Sequence, residues 1–335
     1  MYVQKHIGKN EEAYNVGVFV YDKNDIYVGL MKDALLEEFT DSTDIYIQAY
    51  DGENDNELQL KQIDAKIKSG VDLLVVSCHS YLSSGTIVEK AKAANVPIIF
   101  FHRHIPEDVL NSYGKASFVS VDVLNSGVMQ GYAIYNSLVR DWDENTKTYK
   151  TFDKNGDGKI SCAIFTGQNG NPEAELRKNS YLTANQLLSD AGMGTIEVKG
   201  INDANWDMVT AYNIFTMYYS FSTLPEIVTC GNDGIAQGVI SALNDIYPNG
   251  YNLPGSDAAY YVPVFGFDGN AMEAIANGSM EGTVKVNPDD IGVLTADMIK
   301  NCLYGNDLLY GTGYNFIPTS KTVKVGYYYI LREVA

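Results

Sequence analysis

The residues with the clearest chemistry form a short loop rich in aspartate, asparagine and glycine, residues 153–161 (DKNGDGKIS). Its first, third, fifth and ninth positions carry side-chain oxygens: Asp153, Asn155, Asp157 and Ser161. The seventh position offers the backbone carbonyl of Lys159, and Gly158 provides a sharp turn. This spacing of oxygens is typical of a loop that wraps Ca²⁺. Ile164 stands where such loops usually carry a glutamate, so a distant residue must complete the site. A plain turn without metal is the alternative.

A second set of polar residues could hydrogen-bond a small ligand. Each follows a short apolar run of the chain: Asp25, His79, His102, Asn232 and Asp268. Carboxylates accept hydrogen bonds and amides both donate and accept them, so together they suit the vicinal hydroxyls of a sugar. The alternative for Asp25, Asn232 and Asp268 is that they cap the helices that follow. We expect His79, and also His104, to be structural or solvent-facing.

Two aromatic residues and an arginine could complete such a site. Trp206 and Tyr27 offer flat faces for the C–H patches of a sugar ring. The alternatives are a core position for Trp206 and a surface position for Tyr27. Arg177 can hydrogen-bond a ring or anomeric oxygen while it neutralises Glu173, and a charge that is buried needs such a partner.

Alternating apolar runs and amphipathic stretches must position these residues. Runs that are apolar on both faces predict buried parallel strands at 15–21, 72–78, 96–101, 116–121, 160–166, 226–230 and 262–267. Helical spacing predicts helices over 28–39, 58–69, 84–94 and 126–139. Strand–helix–strand repetition predicts an α/β fold with doubly wound parallel sheets, which bind ligands at the carboxyl ends of their strands. The series restarts after about Val121, which indicates two similar lobes.

Composition and missing motifs exclude several classes of function. Lys and Arg total 24 against 42 Asp and Glu, a net charge of −18, which disfavours binding to nucleic acid or to an anionic membrane. No GxGxxG follows the first strand, and no GxxxxGK[ST] or GxSxG occurs, so we expect no enzyme. The four cysteines form no CxxC pair and are expected to be buried free thiols.

Several stretches resemble the bacterial periplasmic galactose/glucose-binding proteins, the receptors of sugar ABC transporters. The resemblance covers roughly residues 15–330. It rests on VPIIFFHRHIP, DKNGDGKIS followed by TGQNGNPEAELR, NWDM, CGNDGIAQGVISAL, VPVFGFDGNAMEAI and NGSMEGTV. It implies the periplasmic binding protein type I fold, with three hinge crossings near Val121, Pro288 and Lys321. We therefore expect a leader at 1–13, an N-terminal lobe at 14–121 plus 289–320, and a C-terminal lobe at 122–288 plus 321–335.

The resemblance also implies a structural calcium ion. Its ligands would be Asp153, Asn155, Asp157, the carbonyl of Lys159, and Glu226 as the distant bidentate carboxylate. Ser161 stands where the family has glutamine, so a water could complete the coordination at that position.

The sugar site that the resemblance implies is matched in part. Five residues match the family in type: Asp25, Arg177, Trp206, Asn232 and Asp268. Tyr27 takes the position of an aromatic that stacks on the sugar, and Glu173 replaces a shorter aspartate. The last family position, an asparagine, aligns with Val286, beside Asn287.

His102 and Asn171 exchange the amide and the imidazole of the family pattern. If His102 accepts a hydrogen bond from the sugar, affinity should fall as pH drops through about 6.5, the ordinary pKa of histidine.

The function that the resemblance implies is capture of galactose or glucose by closure of the two lobes, followed by delivery to the permease of an ABC transporter. We expect a monomer outside the cytoplasm, either in the periplasm or held at the cell surface by a lipid anchor, with a chemoreceptor as a second partner. The alternatives are the same fold with a pentose or another polyol as ligand, and the sugar-sensing effector domain of a regulator. The latter needs a basic DNA-reading helix pair, yet the predicted leader, residues 1–13, is short and has no helical periodicity.

Overall fold

Two compact units divide the chain. The computed structural model describes residues 13–247, 252–254 and 261–333. Unit 1 extends to Val121 and resumes over Asn287–Val325, whereas unit 2 comprises Asp122–Val286 and continues from Gly326. The chain therefore passes from one unit to the other three times along its sequence.

The described residues form strands and helices in regular alternation. The strands are β1 (Tyr14–Val20), β2 (Ile45–Asp51), β3 (Leu73–Val76), β4 (Ile98–Phe101), β5 (Ala116–Val121), β6 (Trp142–Asp143), β7 (Thr148–Tyr149), β8 (Lys159–Thr166), β9 (Thr195–Asp203), β10 (Ile227–Cys230), β11 (Val264–Phe265), β12 (Gly282–Lys285), β13 (Thr322–Val325) and β14 (Tyr328–Leu331). The helices are α1 (Ile26–Glu37), α2 (Asn56–Lys68), α3 (Ser84–Ala93), α4 (Glu107–Asn111), α5 (Ser126–Asp141), α6 (Pro172–Lys178), α7 (Ser180–Asp190), α8 (Met208–Tyr218), α9 (Asp233–Ile246), α10 (Met272–Ala276) and α11 (Pro288–Leu303). None of these helices is long and apolar enough to cross a membrane.

Each unit is built on one six-stranded sheet. In unit 1 the order is β13-β5-β4-β3-β1-β2 and every pairing is parallel. In unit 2 the order is β14-β12-β11-β10-β8-β9, parallel except that β14 runs antiparallel to β12. The predicted fold class, α/β with two parallel-sheet lobes, is confirmed.

Most residues of the strands that the sequence predicts are buried. All four residues of β3 and of β4 are buried, and these strands supply much of the apolar core of unit 1. The edge strand β2 was missed because it does not form a continuous apolar run: Ile45 and Ile47 are buried, whereas Tyr46 and Gln48 between and beside them are exposed. The four cysteines are free, and three of them are buried.

The boundaries of the units differ from the predicted ones at two crossings. The third crossing was expected near Lys321, which would place Thr322–Val325 in the second lobe. These residues form β13, whose partner is β5 of unit 1, with Thr322 opposite Phe118 and Val325 opposite Val121. The second crossing lies between Val286 and Asn287, slightly before the expected position. The predicted leader at 1–13 lies, except for residue 13, outside the described residues.

Candidate functional site

One buried guanidinium, that of Arg177, lies at the carboxyl ends of the strands of unit 2. Helix α6, which follows β8, carries both Glu173 and Arg177, one turn apart. The Arg177 side chain is 8% exposed. Its Nη1 donates to the carbonyl oxygen of Gly231 at 2.9 Å and to Oδ1 of Asp268 at 3.1 Å, and its Nη2 donates to Oε2 of Glu173 at 3.0 Å.

Two aromatic rings flank this guanidinium. Its central carbon lies 3.8 Å from the ring centroid of Phe267 and 5.5 Å from that of Trp206, which places the cation within the range of favourable contact with both π faces. The Nε–H of Arg177 is buried and meets no acceptor among the described residues. A ligand oxygen could therefore occupy this donor.

Two carboxylates offset the buried charge of Arg177. The side chain of Glu173 is 49% exposed and that of Asp268 is 36% exposed. Partial burial raises the pKa of Asp268, an effect that the guanidinium of Arg177 opposes. Loss of either carboxylate would leave the arginine with less compensation, which is costly for a charge removed from water.

The indole of Trp206 rests on two glycines. A Cβ atom on Gly167 would lie 2.1 Å from Cε2 of the indole, and one on Gly231 would lie 3.2 Å from its Cζ3. Trp206 has a φ of 62°, in the left-handed region that residues other than glycine rarely adopt. The chain therefore holds a half-buried aromatic face beside Arg177 at the cost of an unusual backbone conformation.

The two predicted asparagines of unit 2 both cap helices. Oδ1 of Asn171 accepts from the amides of Glu173 and Ala174, at the start of α6. Oδ1 of Asn232 accepts from the amide of Ile235 at 2.7 Å, at the start of α9. The capping interpretation is therefore correct for the acceptor oxygen of Asn232. Its amide nitrogen donates to the carbonyl oxygen of Trp206 at 3.5 Å, and its second N–H is the group suited to a ligand. Asp268, in contrast, caps no helix.

In unit 1, Asp25 combines capping with a second contact. Its Oδ1 accepts from the amides of Tyr27 and Val28 at 2.9 and 3.0 Å, which caps α1 as the alternative interpretation expects. Its Oδ2 accepts from the hydroxyl of Tyr21. Burial favours the neutral acid, but these hydrogen bonds and the nearby His102 hold the pKa of Asp25 below its ordinary value.

His102 lies beside Asp25 and between two tyrosines. Its ring stacks on Tyr21 with centroids 6.1 Å apart and is tilted against Tyr27 at 5.8 Å. Its Nδ1 lies 3.5 Å from Oγ of Ser77. Burial lowers the pKa of His102 to about 4, although Asp25 opposes this effect. The imidazole is therefore neutral near pH 7 and offers one donor and one acceptor.

The other histidines and Asn287 have different surroundings. His104 is exposed. The carbonyl oxygen of His79 accepts a hydrogen bond from Nη1 of Arg103, and the amide of His79 donates to Oε1 of Gln59. Asn287 belongs to unit 1, where its Oδ1 accepts from the amide of Asp289 and caps α11. A part for Asn287 in sugar binding stays a prediction.

The residues of the predicted calcium loop gather around Asp153 and Glu226. The carboxylate of Asp153 accepts from the amides of Gly156 and Gly158, both at 2.8 Å. Oε1 of the buried Glu226 accepts from the amide of Lys154 at 2.7 Å, and Oε2 accepts from the amide and the hydroxyl of Ser161 at 2.7 and 2.8 Å. Glu226 thus contacts both ends of the loop.

The side chains of this loop offer the oxygen ligands that a hard cation such as Ca²⁺ prefers: carboxylates, an amide oxygen and a hydroxyl. Oδ1 of Asp157 accepts from the amide of Lys159 at 2.9 Å, and Nδ2 of Asn155 donates to Oδ2 of Asp157 at 3.1 Å. Over residues 13–247, 252–254 and 261–333, no group of three or more His, Cys, Asp or Glu is arranged to hold a metal ion. The calcium ion therefore remains a proposal.

Several residues of these clusters escaped the sequence analysis. Tyr21 contacts Asp25 and His102, and the guanidinium of Arg103 lies 3.5 Å from the ring centroid of Tyr21. Phe267 and Tyr327 have ring centroids 5.2 Å apart, beside Arg177. Burial raises the pKa of Tyr327 to about 12. Their position in the sequence could have indicated two of these residues, since Tyr21 and Phe267 are the last residues of predicted apolar runs and Asp268 directly follows one.

Comparisons with known proteins give one consistent result. A family model described as periplasmic binding protein domain matches residues 16–307. The D-galactose/methyl-galactoside binding periplasmic protein MglB of Haemophilus influenzae is 27% identical over 301 residues, which cover 89% of this chain and 84% of that protein. The ribose import binding protein RbsB of Bacillus subtilis is 23% identical over 300 residues, covering 88% and 84%.

Solved structures agree in fold. A periplasmic ribose ABC transporter protein from Conexibacter woesei superposes with a TM-score of 0.65 at 20% identity, covering 97% of this chain and 94% of the other. Similarity at this level of identity establishes the fold alone.

Proposed function

Because the chain belongs to the periplasmic binding protein domain family, we propose that it captures a monosaccharide outside the cytoplasm and delivers it to the permease of an ABC transporter. This function makes the protein a binding protein rather than an enzyme. Capture by closure of the lobes, a monomeric state, a lipid anchor and a chemoreceptor as second partner stay predictions.

The arrangement around Arg177 carries the proposal. A sugar presents hydroxyls that donate and accept together with apolar C–H patches. Unit 2 offers a buried N–H of Arg177, the partly exposed carboxylate of Asp268 and the face of Trp206, all at the carboxyl ends of its strands. Taken by itself, unit 1 holds a second group of suitable residues, in which Asp25, Tyr27 and the neutral imidazole of His102 lie together.

Within this function we propose D-galactose or D-glucose as the ligand. Support comes from the five matching residue types and from the name of the Haemophilus relative. The name of the Bacillus relative keeps a pentose as the alternative. Small polyols would fit the same combination of hydrogen-bonding groups and aromatic faces.

A thermal-shift screen against hexoses, pentoses and amino acids tests the function. A ligand that binds only the native state stabilises it by about 2.7 kcal/mol at about 100-fold excess over its Kd. We expect galactose or glucose to raise the melting temperature most. Stabilisation by a pentose alone would support sugar binding but would identify a pentose, and not galactose or glucose, as the ligand. Stabilisation by an amino acid, with none by any sugar, would contradict the proposal.

We also propose a structural calcium ion held by Asp153, Asn155, Asp157, the carbonyl of Lys159, Ser161 and Glu226. Its support is the type and spacing of these oxygens and the contacts of Glu226 with both ends of the loop. The ion would stabilise unit 2 and take no part in sugar contact.

A further inference from the structure

We propose that Asp233 is a positioning residue for Asp268. Asp233 fixes the loop that directs the carboxylate of Asp268 toward Arg177. The inference rests on the proposed function, in which Asp268 accepts hydrogen bonds from the ligand. Asp233 itself lies beneath the cluster and is 2% exposed, so it acts through the loop and does not touch a ligand.

Asp233 binds the backbone of this loop on both sides of Asp268. Its amide donates to the carbonyl oxygen of Phe267 at 2.7 Å. Its Oδ2 accepts from the amides of Asn270 and Ala271 at 2.6 and 2.9 Å. The residue before Asp268 and two residues after it are therefore held by one buried aspartate.

Thr283 of β12 completes the contacts. Its hydroxyl donates to Oδ1 of Asp233 at 2.7 Å and accepts from the amide of Gly269 at 3.3 Å. The amide of Asp268 itself donates to the carbonyl oxygen of Val284 at 2.7 Å. Every described residue from Phe267 to Ala271 thus has a backbone group bonded to Asp233, to Thr283 or to β12.

The loop requires this restraint because Asp268 has an unfavourable backbone conformation. Its φ is 97°, and that of Gly269 is 70°. Positive φ angles are rare for residues with a side chain and persist where the surroundings determine them. Without the anchors, we expect Asp268 to relax to a negative φ, which would turn its carboxylate away from Nη1 of Arg177.

The chemistry of Asp233 suits anchoring and not a direct charge interaction. The groups that donate hydrogen bonds to its carboxylate are two neutral amides and a hydroxyl. Burial raises the pKa of Asp233 to about 6, while these hydrogen bonds oppose the rise. Asparagine at this position would present an NH₂ group where one carboxylate oxygen now accepts, so at least one donor would lose its acceptor.

Gly266 gives independent access to the same anchor. A Cβ atom at this position would lie 2.1 Å from Oδ1 of Asp233. The Gly266→Ala substitution would therefore displace the carboxylate of Asp233, while Asp233 itself and the residues of the loop keep their identity.

A set of double-variant measurements tests the proposal. Asp233→Asn, Thr283→Val and Gly266→Ala are made alone and together with Asp268→Asn, and affinity for D-galactose and D-glucose is measured by calorimetry. Each single variant should weaken the better-bound sugar about tenfold. Combined with Asp268→Asn, each should cause less than about a twofold further loss, because its effect passes through Asp268.

Asp141→Asn is the matched control. The carboxylate of Asp141 also accepts from one threonine hydroxyl and two backbone amides: Thr151 Oγ1 at 2.6 Å, Thr151 N at 2.9 Å and Phe152 N at 2.8 Å. Its replacement should lower the melting temperature but leave sugar affinity unchanged. Equal losses of affinity in the wild-type and Asp268→Asn backgrounds would overturn the proposal, since they would indicate a general structural effect.

A ligand-free measurement separates this inference from the proposed function. In the apo protein, Asp233→Asn and Thr283→Val should shift the NMR resonance of Arg177 Nε–H, whereas Asp141→Asn should not. If the wild type binds no sugar, the proposed function fails and this shift still decides the positioning role. An unshifted resonance in both variants would refute it.

Discussion

The guanidinium of Arg177 and the carboxylate of Asp268 are joined by a hydrogen bond of 3.1 Å, although 91 positions separate them in the chain. Arg177 lies on α6 and Asp268 follows β11, so the sheet of unit 2 brings them together. The pair combines a buried cation with a carboxylate that is still open to solvent. Such a pair can bind a polar neutral ligand because the exposed oxygen remains available as an acceptor.

Replacement of the polar residues beside Arg177 should weaken sugar binding. Asp268→Asn and Asn232→Ala should each cost about 1–3 kcal/mol of binding free energy, or about ten- to a hundredfold in Kd, because ligand hydroxyls lose their partners. Calorimetry measures the change. Asp190→Asn, in an exposed residue at the end of α7, is the control and should bind as the wild type does. Unchanged affinity in both site variants would remove these residues from the site.

Gly167→Ala should displace the indole of Trp206. Its Cβ would lie 2.1 Å from the ring, whereas a Cβ on the control Gly114 meets nothing within 4 Å. Trp142 is the only other tryptophan, so a Trp142→Phe background isolates the fluorescence of Trp206. We expect an altered emission spectrum and about a tenfold lower affinity for Gly167→Ala, and neither change for Gly114→Ala. Normal affinity with a displaced indole would show that Trp206 does not stack on the ligand.

The pH dependence expected from sequence needs correction for His102. If His102 accepts a hydrogen bond from the sugar, an ordinary pKa would make affinity fall as pH drops through about 6.5. Since burial lowers the pKa of His102 to about 4, the imidazole stays neutral at both pH 5.5 and pH 7.5. The ratio of the affinities of the wild type and His102→Asn should therefore be the same at these two pH values. A ratio that changes between them would mean that His102 titrates with an ordinary pKa.

His102 should also make stability depend on pH. Its pKa in the folded state, about 4, lies below the value of about 6.5 in the unfolded state. The unfolded chain therefore binds more protons between these values, and the contribution of His102 to stability is lost as pH falls from about 6.5 to about 4. Chemical denaturation at several pH values should show that the free energy of unfolding decreases less for His102→Asn than for the wild type as pH falls. Equal decreases in both proteins would contradict the prediction.

Removal of calcium should lower the melting temperature while sugar affinity changes little. An ion that binds only the native state stabilises it by about 2.7 kcal/mol at about 100-fold excess over its Kd. Differential scanning fluorimetry with calcium and with a chelator measures the difference. Glu226→Gln should abolish most of it, and Glu144→Gln, an exposed residue, should retain it. A melting temperature that does not respond to chelator would identify the loop as an ordinary turn.

Local residue patterns were sufficient for the buried strands and for contacts within one helix. Strands such as β3 and β4 are continuous apolar runs, because all of their residues are buried, on either face of the sheet. The pair of Glu173 and Arg177 follows from their spacing of four residues on one helix. Asp25 and Asn232 could be recognised as polar residues at the starts of helices, where they do cap α1 and α9.

Long-range pairing decided the rest. Residues Thr322–Val325 belong to unit 1 only because they pair with β5, some two hundred positions earlier in the chain, and nothing in their own sequence specifies that partner. Asp233 resembles any acidic residue in the first turn of a helix, yet its carboxylate bonds the loop that carries Asp268. The pKa of His102 likewise depends on burial by residues from other segments. Residue type and spacing determine which groups a chain can offer, whereas burial and contact between distant segments determine their direction, charge and partners.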